Sequence, residues 1–174
     1  MTRFFATLAA LSLAGAATAQ TEETAQNGAP LYASFVDGEG QPNGSASLSQ
    51  TNAGVLIEIE VQGLPAESWV AFHIHEGGSC DHEDGHESAG DHFNPDGSEH
   101  GFLPEGGPHA GDMPNQYVPE SGVLRAQVLN TFVSLEDGET DIRGRTLMIH
   151  ADPDDYQSQP SGDAGDRIAC AVIE

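Results

Sequence analysis

Six of the eight histidines in this chain stand at spacings typical of metal ligands. His73 and His75 are two positions apart in an apolar run that predicts a strand, so both rings should lie on one face and approach the same ion. A long polar stretch and the end of a later strand pattern supply the other candidates, which are His92, His100, His109, Asp112 and His150. Imidazole binds copper and zinc, and a carboxylate also suits zinc, so the pattern predicts a site for these metals.

The elements that would position these side chains are short strands. The clearest covers residues 55–61, where apolar side chains occupy every second position. Shorter patterns of the same kind cover residues 31–36, 44–50, 69–75, 123–128, 146–149 and 168–173. No stretch carries a helical apolar stripe of useful length. Many short strands separated by turn residues predict an all-β fold, a Greek-key sandwich or barrel.

Two long polar segments interrupt the strand patterns. Residues 76–117 are rich in glycine, proline, acids and histidine, and residues 151–166 form a second, shorter polar segment. A loop as long as the first is usually either functional or disordered. Because it holds most of the candidate ligands, we expect bound metal to order it.

The N-terminus has the pattern of an export signal. Arg3 precedes an apolar run over residues 4–17, and Ala-Thr-Ala at 17–19 offers small residues for cleavage. We therefore predict a signal peptide over 1–19, a flexible tail over 20–30 and one domain over 31–174, in a periplasmic or secreted protein. The apolar run is too short to span a bilayer, so no membrane anchor is expected. A disordered or interfacial N-terminus is the alternative.

Acidic residues dominate the charge of the chain. There are 28 acids, five arginines and no lysine, which gives a formal net charge of −23 at pH 7. A phosphate backbone would repel such a chain, so nucleic-acid binding is excluded, and anionic membrane surfaces are unfavourable partners. The same acidity keeps a protein soluble and also occurs in proteins that face high salt.

The two cysteines, Cys80 and Cys170, are expected to pair if the chain is exported, because it then meets an oxidising compartment. A bridge between them would close a loop of about 90 residues and stabilise the fold by on the order of 4 kcal/mol. Two buried free thiols are the alternative.

Together, these motifs resemble the copper/zinc superoxide dismutase family in its bacterial, exported form. The resemblance rests on FHIHE at 72–76, HFNP at 92–95, HAGD at 109–112, LMIH at 147–150 and DRIACAVI at 166–173. It covers roughly residues 31–174. A His-x-His pair alone is weak evidence, whereas this many segments at matching spacings are specific.

The resemblance implies a role for each candidate residue. The copper ligands would be His73, His75, His92 and His150. The zinc ligands would be His92, His100, His109 and Asp112, so that His92 bridges the two ions. Asp154 would link a copper histidine to a zinc histidine, which would fix the outer nitrogens of both rings.

By this resemblance, the chain would convert superoxide into oxygen and hydrogen peroxide at a redox-cycling copper beside a structural zinc. Arg167 would attract the anionic substrate and His92 would carry a proton. The alternative is a periplasmic copper and zinc store of the same fold, although storage requires neither Arg167 nor a bridging histidine. Whether the protein is a monomer or a homodimer stays open.

Some features depart from the family pattern. Lysines that usually help to draw in superoxide are absent, and Asp163 and Asp166 stand close to Arg167 in sequence. His82 and His86 fall outside the family's ligand set, within the acidic segment 81–87. We expect a solvated acidic loop there, with an accessory metal site as the alternative.

Overall fold

The computed structural model describes Met1 and residues 28–174. Apart from Met1, the predicted signal peptide over 1–19 lies outside the described residues, as does most of the predicted tail over 20–30. Among the residues described, no helix combines the length and hydropathy that a membrane crossing requires.

Short strands make up nearly all of the regular structure between residues 28 and 174. They are β1 (Leu31–Asp37), β2 (Pro42–Thr51), β3 (Gly54–Val61), β4 (Ser68–Val70), β5 (Phe72–His75), β6 (Gln116–Val118), β7 (Leu124–Asn130), β8 (Thr146–His150) and β9 (Arg167–Val172). A single 3₁₀ turn, Glu87–Ala89, lies between β5 and β6.

Seven of these strands form one antiparallel sheet in the order β5-β8-β9-β1-β2-β3-β7, and β4 pairs separately with β6. Several neighbours in the sheet, such as β3 with β7 and β1 with β9, are far apart in sequence, as in Greek-key connections. The sheet curls into a half-barrel around the apolar core. The predicted all-β fold is therefore confirmed.

The alternation of buried and exposed side chains on β3 shows why the strands could be predicted from the sequence. Val55, Ile57, Ile59 and Val61 are buried, whereas Glu58 and Glu60 between them face solvent on the outer side of the sheet. Full burial of one Val or Ile side chain contributes about 1.5–3 kcal/mol, so a one-residue slip in register would be strongly disfavoured.

The strand predicted over residues 69–75 is in fact two strands, because the chain changes partner at Ala71. The Ala71 amide donates to the carbonyl of Asp152, and the Ala71 carbonyl accepts from the amide of His150, both at 3.0 Å. β4 therefore pairs with β6, while β5 pairs with β8. Because β6 begins at Gln116, the first long loop ends at residue 115 rather than at 117.

A disulfide fastens the first long loop to β9. Cys80 and Cys170 are bonded, with their Cα atoms 5.6 Å apart. Cys170 is fully buried in a small cluster with Met148 and Ala89, and Cys80 packs against this cluster while remaining partly exposed. The predicted pairing is confirmed, and the alternative of two free thiols is wrong.

Reduction of this disulfide should lower the melting temperature by about 10 °C, because it frees a long loop in the unfolded chain. Calorimetry of the protein with and without reductant measures the shift. A variant carrying both Cys80→Ser and Cys170→Ser is the control, since reductant should leave its melting temperature unchanged. An unchanged melting temperature in the reduced native chain would contradict the stabilising role of the bridge.

Candidate metal centre

The first long loop covers the free edge of β5, the strand that carries the paired histidines. His73 and His75 lie on one face, because Ile74 between them points into the core. The Ile74 amide donates to the Gly111 carbonyl at 2.9 Å, and the Ile74 carbonyl accepts from the Phe93 amide at 2.8 Å. A Cβ atom at residue 111 would collide with the Ile74 carbonyl, so glycine allows this close approach. The ligands of the loop are thereby held beside those of the strand.

Four buried histidines converge at one end of β5 and β8. Their closest ring nitrogens all lie within 4.8 Å of one another, and we call the group the four-histidine set: His73, His75, His92 and His150. His150 is the last residue of β8, and it lies opposite Arg167 on β9. The structure thus brings together every residue that the resemblance assigned to copper.

A second buried group lies beside the first and shares one member with it. This Asp112 set consists of His92, His100, His109 and Asp112. The Oδ1 atom of Asp112 is 2.9 Å from Nδ1 of His92, 3.1 Å from Nδ1 of His100 and 3.5 Å from Nδ1 of His109. Its Oδ2 atom accepts from the amides of Gly101 and His109 at 2.8 and 3.0 Å, which fixes the carboxylate.

The four-histidine set presents unshared electron pairs to a common point. Nδ1 of His75 donates to the Gly90 carbonyl at 2.8 Å, and Nδ1 of His150 donates to the Gly165 carbonyl at 3.3 Å. Their Nε2 atoms therefore carry lone pairs, and these face each other at 3.3 Å. Such an arrangement is repulsive until a cation lies between the nitrogens, so the set fits a metal ion.

His92 connects the two sets through its two ring nitrogens. Nδ1 contacts Asp112, whereas Nε2 is buried and has no hydrogen-bond partner. Nδ1 of His73, which belongs to the four-histidine set, is likewise buried and unpartnered. Buried polar atoms normally have partners, so these orphaned nitrogens indicate positions where an ion binds.

Asp154 links the two sets by accepting a hydrogen bond from one histidine of each. Its Oδ2 atom accepts from Nε2 of His73 at 2.8 Å, and its Oδ1 atom accepts from Nε2 of His100 at 3.0 Å. Because each ring donates to the carboxylate through Nε2, its Nδ1 atom is directed toward its own ligand set, unpartnered in His73 and facing Asp112 in His100. The choice of Asp154 among the neighbouring acids therefore agrees with the geometry.

Sequence reasoning missed two residues that hold this arrangement together. Asn115 exchanges two hydrogen bonds with the backbone of Asp154, at 2.8 and 2.9 Å. Gln159 does the same with the backbone of His100, at 2.8 and 2.9 Å, and so joins the two long loops. No motif marks either residue in the sequence, because each acts on a partner 39 or more positions away.

Burial keeps three rings of the four-histidine set neutral. Burial and the neighbouring His73 lower the pKa of His92 to about 4 and that of His150 to about 3. Burial and the charge of His92 also hold the pKa of His75 well below its usual range. Neutral imidazole is the form that binds a metal, so these three rings are ready to coordinate at neutral pH.

The Asp112 set is more polar. Burial alone would lower the pKa of His100, but its hydrogen bonds with Asp112 and Asp154 outweigh this effect and raise the pKa to about 9. Burial alone would raise the pKa of Asp112, but hydrogen bonds from His100, His109 and His92 hold it far below its usual range. At a pKa of about 9, His100 carries a proton on each ring nitrogen at neutral pH, so zinc must displace the proton on Nδ1. Once it is displaced, the set offers an ionised carboxylate and three imidazoles, which suit zinc.

A cavity of about 490 Å³ opens onto both sets from the solvent. His92, His109 and His150 line it together with Arg167, and its other lining residues are Glu76, Glu87, Asp91, Asn94, Pro160, Ser161 and Gly165. Nη1 of Arg167 donates to the His86 carbonyl at 2.8 Å, and Nη2 lies 3.5 Å from a carboxylate oxygen of Glu87. Arg167 is the one arginine among the lining residues, and no lysine lines the cavity, so an entering anion meets the permanent positive charge of its guanidinium.

The two remaining histidines differ from each other. His82 is exposed, as expected of a solvated loop, but His86 is fully buried, so the expectation of a solvated side chain is wrong for His86. Between residues 28 and 174, the groups of ligand atoms that converge are the two sets above, and neither includes His82 or His86. The alternative of an accessory metal site therefore finds no support in the described part of the chain.

Comparison with known proteins places this geometry in a family. The family model described as copper/zinc superoxide dismutase (SODC) matches residues 42–173. A protein of Aquifex aeolicus named superoxide dismutase [Cu-Zn] 2 is 50% identical over 146 residues, covering 82% of this chain and 85% of the relative.

Solved structures agree with the sequence comparison. A double mutant of a SOD-like protein from Bacillus subtilis has a TM-score of 0.78 and 37% identity, with 82% of this chain and 95% of the other covered. The Cu/Zn superoxide dismutase from Brucella abortus has a TM-score of 0.69 and 27% identity, covering 83% of this chain and 99% of that one. With two converging ligand sets joined by one histidine, this chain belongs to the copper/zinc superoxide dismutase family.

Proposed function

We propose that this chain is a superoxide dismutase that binds copper in the four-histidine set and zinc in the Asp112 set. The observation that carries the proposal is the shared histidine: His92 offers one ring nitrogen to each set, beside a cavity that Arg167 also lines. Four nitrogen donors suit Cu(II), and three imidazoles with one carboxylate suit zinc.

Copper, once bound, supplies one-electron redox chemistry, while a zinc ion enclosed by four protein ligands is structural. The reaction consumes two superoxide ions and two protons, and yields one molecule each of oxygen and hydrogen peroxide. Arg167 attracts the anion into the cavity, because only 14% of its side chain is exposed and its charge is therefore poorly screened by solvent. His92 can hold a proton at Nε2, the nitrogen that has no partner within the protein.

The enzyme interpretation is favoured over metal storage by Arg167. A store needs ligands, but it gains nothing from a guanidinium held at the entrance of a cavity by the His86 carbonyl and Glu87. Storage also requires no single histidine between two unlike donor sets.

Pulse radiolysis of the copper- and zinc-loaded mature protein tests the proposed function. We expect catalytic loss of superoxide, with one hydrogen peroxide formed for every two superoxide ions consumed. The control is the same protein loaded with zinc alone, which should be inactive. A fully loaded protein that removes superoxide no faster than this control would contradict the proposal.

We further propose that the chain is exported to the periplasm or secreted, without a membrane anchor. Residues 1–19 would be the signal peptide, 20–30 a flexible tail and 31–174 the superoxide dismutase domain. The disulfide supports export, because such bonds persist in oxidising compartments. N-terminal sequencing of the secreted or periplasmic protein should begin at residue 20, and sedimentation would distinguish the monomer from the homodimer.

The rate of dismutation should stay flat or rise between low and physiological ionic strength. The chain carries a net charge of −23, and three acids line the cavity, so the long-range force on superoxide is repulsive. Salt screens charges more than about 8–10 Å away, whereas the attraction by Arg167 acts at short range and changes less. Second-order rates measured by pulse radiolysis across a salt series give the slope.

The Arg167→Gln variant is the control for the salt series. It removes the short-range attraction, so its rate should be lower and should rise more steeply with salt. If the native rate instead falls steadily as salt is added, focusing of the field around Arg167 outweighs the net charge and the salt prediction is wrong.

A further inference from the structure

His86 is a fully buried side chain in a segment that is otherwise largely exposed. Its exposed fraction is 0%, whereas its neighbours Gly85 and Glu87 are both exposed. Neither ring nitrogen of His86 has a hydrogen-bond partner among the described residues. Burying a polar ring without hydrogen bonds costs free energy, so other interactions that depend on the position of His86 must offset that cost.

The backbone of His86 holds the guanidinium of Arg167. The His86 carbonyl accepts from Nη1 of Arg167 at 2.8 Å and from the Ala89 amide at 3.1 Å. His86 has φ 63°, in the left-handed region, where histidine, asparagine and aspartate are more common than other non-glycine residues. The direction of this carbonyl therefore depends on a backbone conformation centred on His86.

Residues 81–89 form a small unit with mostly internal hydrogen bonds. The His86 amide donates to the Asp81 carbonyl at 2.8 Å, and the Ser88 amide donates to the Asp84 carboxylate at 3.1 Å. The disulfide ties down the start of the unit, and the ring of His82 lies over Gly40 in the turn between β1 and β2. The buried His86 ring, which lies near the Asp37 backbone of β1, adds a further contact between the unit and the rest of the protein.

We propose that His86 is a positioning residue for Arg167: its neutral, buried ring seats residues 81–89, and protonation of that ring unseats them and frees the guanidinium. The inference concerns a residue outside both metal sets, and its consequence for catalysis rests on the proposed function of Arg167.

The charges around His86 determine the direction of the pH effect. Burial lowers the pKa of His86 most, and the charges of His82 and Arg167 lower it further. A polar contact with the Asp37 backbone, which does not reach hydrogen-bond geometry, and the carboxylate of Asp84 oppose this lowering. These groups face the ring from β1, from its own segment and from β9. Because the pKa is lowered in the seated form, that form is fully favoured above the ordinary value of about 6.5 and loses its advantage as the pH falls below it.

Nuclear magnetic resonance of the copper- and zinc-loaded protein, with copper kept in its diamagnetic reduced state, tests this inference. We expect the His86 ring to titrate with a midpoint below 6.5, and the Arg167 side-chain NH signals to shift with the same midpoint. An Arg167 signal that stays constant while His86 titrates would overturn the proposal, as would a His86 midpoint at or above 6.5.

Two matched variants separate positioning from general stability. His86→Phe keeps a buried ring that cannot take a proton, so the transition of the Arg167 signal should disappear. His82→Phe keeps a ring beside Gly40 and leaves His86 in place, so the transition should persist. A transition that survives unchanged in a folded His86→Phe protein would also contradict the inference.

These signals do not depend on turnover. If the loaded protein failed to remove superoxide, the proposed function would be wrong, yet the coupling between His86 and Arg167 would still be measured. If turnover is confirmed, the dismutation rate of the native chain should decrease as the pH is lowered through the same midpoint. The rate of His86→Phe should show no such decrease.

Discussion

Replacing His150 by alanine should remove copper and abolish dismutation while zinc stays near one ion per chain. His150 contributes Nε2 to the four-histidine set and is not a member of the Asp112 set. Even the outer partners of metal ligands are worth about 10–100-fold in affinity, so losing a direct ligand should weaken copper binding by more than about 100-fold. Metal analysis by mass spectrometry after dialysis, together with pulse radiolysis, measures both effects.

His82→Ala is the matched control for this experiment, because it removes an exposed histidine that belongs to neither set. Its copper and zinc contents should equal those of the native chain. Equal loss of both metals from His150→Ala would contradict the assignment of two separate sites.

The sequence was sufficient to predict the fold class because the strands carry their own signal. On β3, every second side chain is apolar and buried, and this period of two needs no knowledge of distant partners. The pairing of His73 with His75 was equally predictable, because residues two positions apart on a strand lie on the same face whatever their neighbours are.

Features that depend on distant partners could not be predicted in the same way. The strand β6 has three residues and is defined only by its pairing with β4, about 50 positions away. The burial of His86 depends on how its segment packs, and its acidic neighbours gave the opposite indication. Which ring nitrogen faces the centre of its ligand set is fixed by carbonyl and carboxylate acceptors such as Gly90 and Asp154, which carry no local signal.

Exchange of Asp112 for asparagine should loosen zinc first and destabilise the fold with it. The amide NH2 of asparagine must replace one carboxylate oxygen. At the Oδ2 position it would face two backbone donors, the amides of Gly101 and His109, and leave both unsatisfied. At the Oδ1 position it would replace the anionic oxygen that faces the three rings of the set. Both orientations are unfavourable, although the volume of the side chain is unchanged.

We expect the zinc affinity of Asp112→Asn to fall by more than about 100-fold, since a direct ligand is lost. The melting temperature should fall as well, because zinc binding is coupled to the order of the long loop. Copper should remain near one ion per chain when zinc is first lost, because all four histidines of its set are intact. Asp96→Asn is the matched control, since Asp96 is an exposed acid of the same loop that belongs to neither set. Competition with a chelator gives the zinc affinity, and an Asp112→Asn protein that released copper before zinc would show that the two sets do not divide the metals in this way.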